Sequence, residues 1–268
     1  MFAADAKTIN RIEPVVRRVL IVDPNLASAR LLLDIMKSLG AREVVTESDQ
    51  GRALEQAREM EPGLIFTERA GARLDGEALA RGVRRSNLAC RRVPIIMVTA
   101  DATASTIIGA RDSGIHEFLR KPFTSADLFR RVENVALKPR SWIEAVGYVG
   151  PDRRRFNSGE YAGPKKRNVD KPATAAASAL AVKDQALRIL AASLAQFDSD
   201  PSQAARAVKQ QAETLKALAI KTADTPLAVA AAGLEGFLAS GHPTKAGLAA
   251  PIGAILALAE PEPQARVG

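Results

Sequence analysis

Four polar side chains stand where short apolar runs stop. Val19-Leu20-Ile21-Val22 ends in Asp23, and Leu64-Ile65-Phe66-Thr67 ends in Glu68. Ile95-Ile96-Met97-Val98 ends in Thr99, and Glu117-Phe118-Leu119-Arg120 runs into Lys121-Pro122. Runs of this length, alternating with helix-like stretches, read as parallel strands buried in an α/β sheet. Ligands of such sheets bind at the carboxyl ends of the strands. The sequence therefore places a pair of carboxylates, a hydroxyl and an ammonium at the ligand-binding end: Asp23, Glu68, Thr99 and Lys121.

The elements that must hold them there follow from periodicity and breakers. Residues 26–39 carry apolar side chains at helical spacing and stop at Gly40. Residues 42–46 read as a short strand and 49–60 as an amphipathic helix broken by Pro62-Gly63. Asp75-Gly76 marks a turn before a helix over 77–85, Pro94 opens the next strand, and a helix over 103–112 stops near Gly114. Ser125 is the expected N-cap of a last helix over 126–136. The alternation predicts five strands and five helices, closed as one doubly wound parallel sheet over residues 18–137.

The flanks differ in composition. Residues 1–17 read as a flexible leader. Residues 138–172 are rich in Gly and Pro and contain a basic repeat, Tyr148 to Arg155 and then Tyr161 to Arg167. They read as an extended basic linker carrying Arg153, Arg154, Arg155, Lys165, Lys166 and Arg167. Residues 173–260 are alanine-rich, with candidate helices over 174–197, 201–223, 226–240 and 244–259, and 261–268 form a tail. Asp200-Pro201 and Thr225-Pro226 pair a capping side chain with an early helical proline, and Gly241 suits a C-terminal stop. Short loops imply a small antiparallel all-α bundle.

Composition narrows the function classes. The chain has 268 residues and a net charge of +8, which favours acidic partners, although much of that charge lies in the linker. A single cysteine, Cys90, excludes an internal disulfide and fits a cytoplasmic setting. His116 and His242 have no cysteine or second histidine at ligand spacing, so no metal site is expected from them. The first fourteen residues lack the apolar core of a signal peptide, and no apolar run is long enough to span a bilayer. Asp101 reads as a loop or capping residue. Arg69 and Arg73 read either as neighbours that neutralise Glu68 or as solvated loop residues.

Residues 18–137 resemble the receiver domain of bacterial response regulators, a flavodoxin-like fold. The resemblance rests on Leu20-Ile21-Val22-Asp23, Pro62 to Glu68, Asp75-Gly76, Val93 to Ala100, Ala110 to Gly114, and Leu119-Arg120-Lys121-Pro122-Phe123. It implies that Asp23 matches the first of two metal-binding acids, that Thr99 and Lys121 match the hydroxyl and lysine that bind phosphoryl oxygens, and that Phe118 matches the switch aromatic. Two positions depart from the pattern. Pro24 stands where a second acid belongs, and Glu68 stands where an aspartate accepts the phosphoryl group. Proline offers no side-chain oxygen to Mg²⁺, which needs several in near-octahedral array. The extra methylene of Glu68 moves its carboxylate out by about 1.5 Å. The expectation is that Glu68 is not phosphorylated, that the Mg²⁺ site is impaired, and that no other cofactor is needed. Glu68 then either mimics phosphate toward Lys121 and Thr99 or simply pairs with Lys121. The stretch around Glu213 is weakly similar to the helix of histidine-phosphotransfer bundles, with Glu213 in place of the histidine.

The reading is a non-catalytic, cytoplasmic adaptor of two-component signalling, without membrane contact. It binds a protein such as a histidine kinase, another regulator or a second copy of itself. Competing readings are a regulator whose basic linker binds nucleic acid, and a receiver still phosphorylated by a kinase.

Overall fold

The computed structural model describes residues 6–153, 175–241 and 243–258. Residues 6–143 and 148–153 form one compact unit; 144–147 and the C-terminal helices form a second.

In the first unit the order is α1 (Ala6–Val16), β1 (Arg18–Val22), α2 (Leu26–Ser38), β2 (Glu43–Glu47), α3 (Gln50–Met60), β3 (Leu64–Thr67), β4 (Ala70–Gly71), β5 (Leu74–Asp75), α4 (Gly76–Arg85), β6 (Ile95–Thr99), α5 (Ala104–Asp112), β7 (Glu117–Arg120) and α6 (Ser125–Leu137). Five strands form one parallel sheet in the order β2-β1-β3-β6-β7, with Val19 opposite Leu64, Ile65 opposite Ile95 and Met97 opposite Phe118. The run-and-stop pattern in the sequence therefore locates the sheet.

Alternate strand residues feed two cores. Val19, Ile21, Phe66 and Ile96 pack with Ile12, Leu32 and Leu128 on one face. Leu20, Val22, Ile65 and Met97 pack with Ala53, Leu79, Val83 and Ala110 on the other. Helices cover both faces, so each strand must be apolar on both sides, which is why the runs are continuous rather than alternating. The chain leaves β1 for β2 on one side and returns to β3 on the other. The reversal opens a crevice beyond the ends of β1 and β3, the place where such sheets bind ligands.

Several expectations need correction. Residues 6–16 are not a loose leader: they form α1, and Ile12 and Val16 are fully buried. The end of α1 lies so close to β3 that a Cβ on Gly63 would meet the Val15 carbonyl oxygen at 2.5 Å, a position open only to glycine. Helix α6 is capped by Thr124 rather than Ser125, because Asp127 three residues on completes a capping box. Residues 138–153 are not an extended linker. After Lys138 the chain makes a small ribbon of β8 (Trp142–Glu144) and β9 (Val149–Pro151). Gly147 stands at the bend between the two strands, and Gly150 and Pro151 lie in β9 itself.

The second unit contains α7 (Ala175–Gln196), α8 (Pro201–Thr222), α9 (Thr225–Ala239) and α10 (Lys245–Ala257). Each helix packs on the next and α10 returns to α7, around Leu190, Val208, Leu215, Leu234, Ile252 and Ile255. Asp200 caps α8 as expected, whereas Asp224, not Thr225, caps α9 and places Pro226 within its first turn. Among the described residues no helix is long and apolar enough to cross a membrane.

Candidate functional site at the carboxyl ends of the strands

The main chain fixes the site residues by carrying the sheet ladder one residue past each strand. Asp23 N–H donates to the Glu47 carbonyl at 2.9 Å, Glu68 N–H to that of Val22 at 2.8 Å, and Lys121 N–H to that of Thr99 at 2.8 Å. The polar side chains thus begin where the apolar ones end.

Three of the expected residues form one charged knot. The Lys121 ammonium donates to Asp23 Oδ2 at 2.8 Å and to Glu68 Oε2 at 2.7 Å. The second oxygens are also engaged: Asp23 Oδ1 accepts the Asn25 amide at 2.8 Å, and Glu68 Oε1 accepts the Arg69 amide at 2.7 Å. The side chain of Asp23 is 2% exposed, that of Glu68 15% and that of Lys121 20%, so the knot is screened from bulk water. Burial opposes the Lys121 charge, but hydrogen bonds to Asp23 and Glu68 outweigh it, and its pKa is raised.

Thr99 and Phe118 are where the sequence places them, both buried. Thr99 Oγ1, however, accepts the Asp101 amide at 3.4 Å rather than meeting Glu68. Pro24 is exposed beside the site and contributes no side-chain oxygen. Arg69 and Arg73 do not neutralise Glu68 with their guanidinium groups. Arg69 reaches Asp101 Oδ2 at 2.5 Å, and Arg73 reaches Asp49 Oδ2 at 2.6 Å. Asp101 organises the loop after β6: bonds from Thr106 and the Thr103 amide hold its carboxyl below the usual range. No cluster of three or more metal-ligating side chains exists among the described residues.

The family model described as response regulator receiver domain matches residues 19–133. Residues 19–133 are a response regulator receiver domain. The chain is 28% identical over 145 residues to a "Probable transcriptional regulator ycf27" of Porphyridium aerugineum, covering 50% of this chain and 58% of that one. It is 29% identical over 117 residues to "Hybrid signal transduction histidine kinase D" of Dictyostelium discoideum, covering 44% of this chain and 7% of that one. The chain thus spans less than two thirds of the length of these relatives. Among solved structures, a putative response regulator from Chloroflexus aurantiacus is 28% identical, with TM-score 0.43 over 46% of this chain and 98% of that one. The chemotaxis protein CheY4 of Vibrio cholerae is 23% identical, with TM-score 0.42, 44% of this chain and 97% of that one.

The remaining candidates lie elsewhere. Arg153 is exposed, but it pairs with Asp112 Oδ1 at 3.0 Å and lies over the Tyr148 ring at 4.5 Å. Arg154, Arg155, Lys165, Lys166, Arg167 and His242 lie outside the described residues. Cys90 is buried against the Ala57 carbonyl, and burial pushes its thiol pKa up, away from nucleophilic character. Glu213 is exposed on α8.

Sequence reasoning missed a second polar centre, at the opposite ends of the strands. Arg84 is fully buried and donates to the carbonyls of Gly114 at 2.9 Å, Arg91 at 2.7 Å and Val93 at 2.9 Å. It also meets His116 Nδ1 at 3.1 Å. Burial pushes the Arg84 pKa down to about 9, leaving it a cation at neutral pH. His116 is held neutral by burial and by the cations of Arg84 and Arg140. The signal was present: Arg84 follows Ala80 by four residues and so falls on the buried stripe of α4.

Proposed function

We propose that the receiver domain works as a pseudo-receiver: a non-catalytic binding module of two-component signalling that does not pass through aspartyl phosphorylation. The observation that carries this reading is the Lys121 ammonium bound to both carboxylates, at 2.8 Å from Asp23 and 2.7 Å from Glu68. Phosphoryl acceptance needs a carboxylate oxygen free to attack in line, with cationic help for the developing charge. Here both oxygens of Glu68 are engaged, and the carboxylate starts one methylene too far out. A displacement of that size costs on the order of a hundredfold in rate.

The donor set does not fit the Mg²⁺ that receivers of this family use. The ion needs several hard oxygens. Asp23 and Glu68 already share an ammonium, and Pro24 adds no oxygen. Lys121 supplies the positive charge that the carboxylates require. The pocket is therefore read as self-neutralised and held in one state, because Thr99 bonds to Asp101 rather than to Glu68. Its partners are proteins: a histidine kinase, another regulator or a second copy of the chain.

The test is incubation with acetyl phosphate or phosphoramidate and Mg²⁺, followed by intact-mass measurement. No phosphoryl adduct is expected at any Mg²⁺ concentration. A stable adduct that maps to Glu68 sinks the proposal.

A further inference from the structure

Helices α9 and α10 are apolar nearly all round. Thr225–Ala239 holds one charged residue, Glu235, and Lys245–Ala257 holds one, Lys245. Both charges are answered within the unit. Glu235 takes the Lys216 ammonium at 2.6 Å, and Lys245 pairs with Asp198. A helix at the surface of a soluble protein ordinarily turns a charged face outward, and one without such a face is ordinarily covered. Here the outward faces are open. Val229 is 68% exposed and Leu258, just past the end of α10, is 44% exposed.

The glycines of these helices point the same way. Gly109 and Gly247 show what calls for glycine in a helix. A Cβ on the first would meet Glu77 Oε1 at 2.5 Å, and one on the second would meet Phe237 Cζ at 2.6 Å. Gly233 and Gly236 of α9 and Gly253 of α10 have no such cause, since a Cβ on any of them meets nothing within 4 Å. All three are exposed. Glycine weakens a helix relative to alanine, so nothing within the described residues recommends it there. What glycine does permit is close approach by a backbone from outside.

The shape of the face selects its occupant. The two helices pack on each other and are joined by residues 240–244 alone, which makes them antiparallel. Val229 and Leu258 therefore share one end of the face. At the other end stand Gly236, Ala246 and Ala249, and the ring of Phe237 rests on Gly247. A two-fold axis near Gly233 sets the raised end of one copy on the low end of the other, the self-complementary pattern of an isologous contact. Charge agrees. The chain carries a net +8, and an uncharged face lets two copies meet without opposing like charges. At about 1.5 Å per residue each helix runs about 20 Å, and with axes about 8–10 Å apart the face covers about 400 Å² in projection. A standard interface takes about 800 Å² of accessible surface from each partner, so this face suits a weak, reversible dimer.

We propose that the outward face of α9 and α10 is the surface through which two copies of this chain associate, about a two-fold axis near Gly233. This gives the second-copy partner named above a definite surface. It rests on the second unit and stands whether or not Glu68 takes a phosphoryl group.

Sedimentation velocity of the full chain from micromolar to millimolar concentration should show a reversible shift from monomer to dimer. Gly233→Glu places a charge at the centre of the face, where the added side chain meets open space, and should weaken the dimer at least tenfold with the thermal melt unchanged. Should that variant melt early, Gly233→Cys replaces it. Mild oxidation should then link two copies through position 233, whereas Glu213→Cys, on the exposed side of α8, should not link; the native Cys90 is buried. A chain that stays monomeric to millimolar concentration overturns the proposal, as does a dimer that Gly233→Glu leaves intact or equal linking of the two cysteine variants. A chain that stays monomeric yet floats with phosphatidylcholine vesicles assigns the face to lipid and overturns it too.

Discussion

Replacing Lys121 by methionine tests the knot that organises the receiver site. Methionine keeps the length and apolar stem but removes the ammonium. The Asp23 carboxylate, 2% exposed, then faces the Glu68 carboxylate, 15% exposed, with no cation between them. Breaking a buried pair by removing one partner costs about 3–5 kcal/mol. Lys121 is 20% exposed and so partly hydrated, which puts the expected loss near the lower figure, about 3 kcal/mol. The assay is urea unfolding followed by Trp142 emission, which reports the first unit. A second substitution sharpens the reading. Glu68→Gln should destabilise the parent, yet recover about 1 kcal/mol or more in the Lys121→Met background, where it removes a repulsion. The pH dependence has a definite sign. The Lys121 pKa is raised in the fold, so its contribution is complete below about pH 10.4 and is lost as pH rises through the folded value. The variant lacks that alkaline limb. It should also close part of its deficit below about pH 4.5, where ordinary carboxylates take up protons. A loss under about 0.5 kcal/mol, the scale of an exposed pair, with Glu68→Gln equally costly in both backgrounds, refutes the reasoning.

Other predictions follow from the same geometry. Glu68→Asp alone should still fail to label with acetyl phosphate, because Pro24 and Lys121 are unchanged; labelling at a rate typical of receivers would show that the methylene was the whole obstacle. His116 is kept neutral in the fold, so below about pH 6.5 the unfolded chain gains a proton that the folded chain does not. Stability should fall on acidification by up to about 1.4 kcal/mol per pH unit, and His116→Gln should flatten that slope between pH 7.5 and 5.5 in urea titrations. Ile12→Ala should cost about 3 kcal/mol, because Ile12 is fully buried in the core; a loss below about 1 kcal/mol would return α1 to the status of a leader.

What could be read from the sequence was whatever the sheet writes directly. Runs buried on both faces are continuous, and they stop where the ladder stops, so the positions of Asp23, Glu68, Thr99 and Lys121 were legible. Their hydrogen bonds were not, because contact between residues 53 or 98 positions apart depends on strand order. Helix α1 was hidden by Pro14, which argues against a helix, although Ile9, Ile12 and Val16 keep helical spacing. The ribbon after α6 was hidden for the opposite reason: its glycines and prolines have the composition of a linker. Helix starts were displaced by one residue where two capping side chains are adjacent, as at Thr124 and Ser125. Arg84 was passed over because its type outweighed its position; a charged residue on a buried stripe points to carbonyls waiting for it.

The proline beside Asp23 has an effect beyond the oxygen it lacks. The backbone at Gly71, in the β4–β5 hairpin, rests on the Pro24 ring so closely that a Cβ there would come within 2.6 Å of Pro24 Cγ. The hairpin has taken its shape from a ring. An acid introduced at position 24 meets a backbone moulded to something flat and uncharged, and reshaping the hairpin costs stability before any chemistry improves. Supplying a side-chain oxygen at position 24 therefore means rebuilding the packing against Gly71 as well as adding the oxygen.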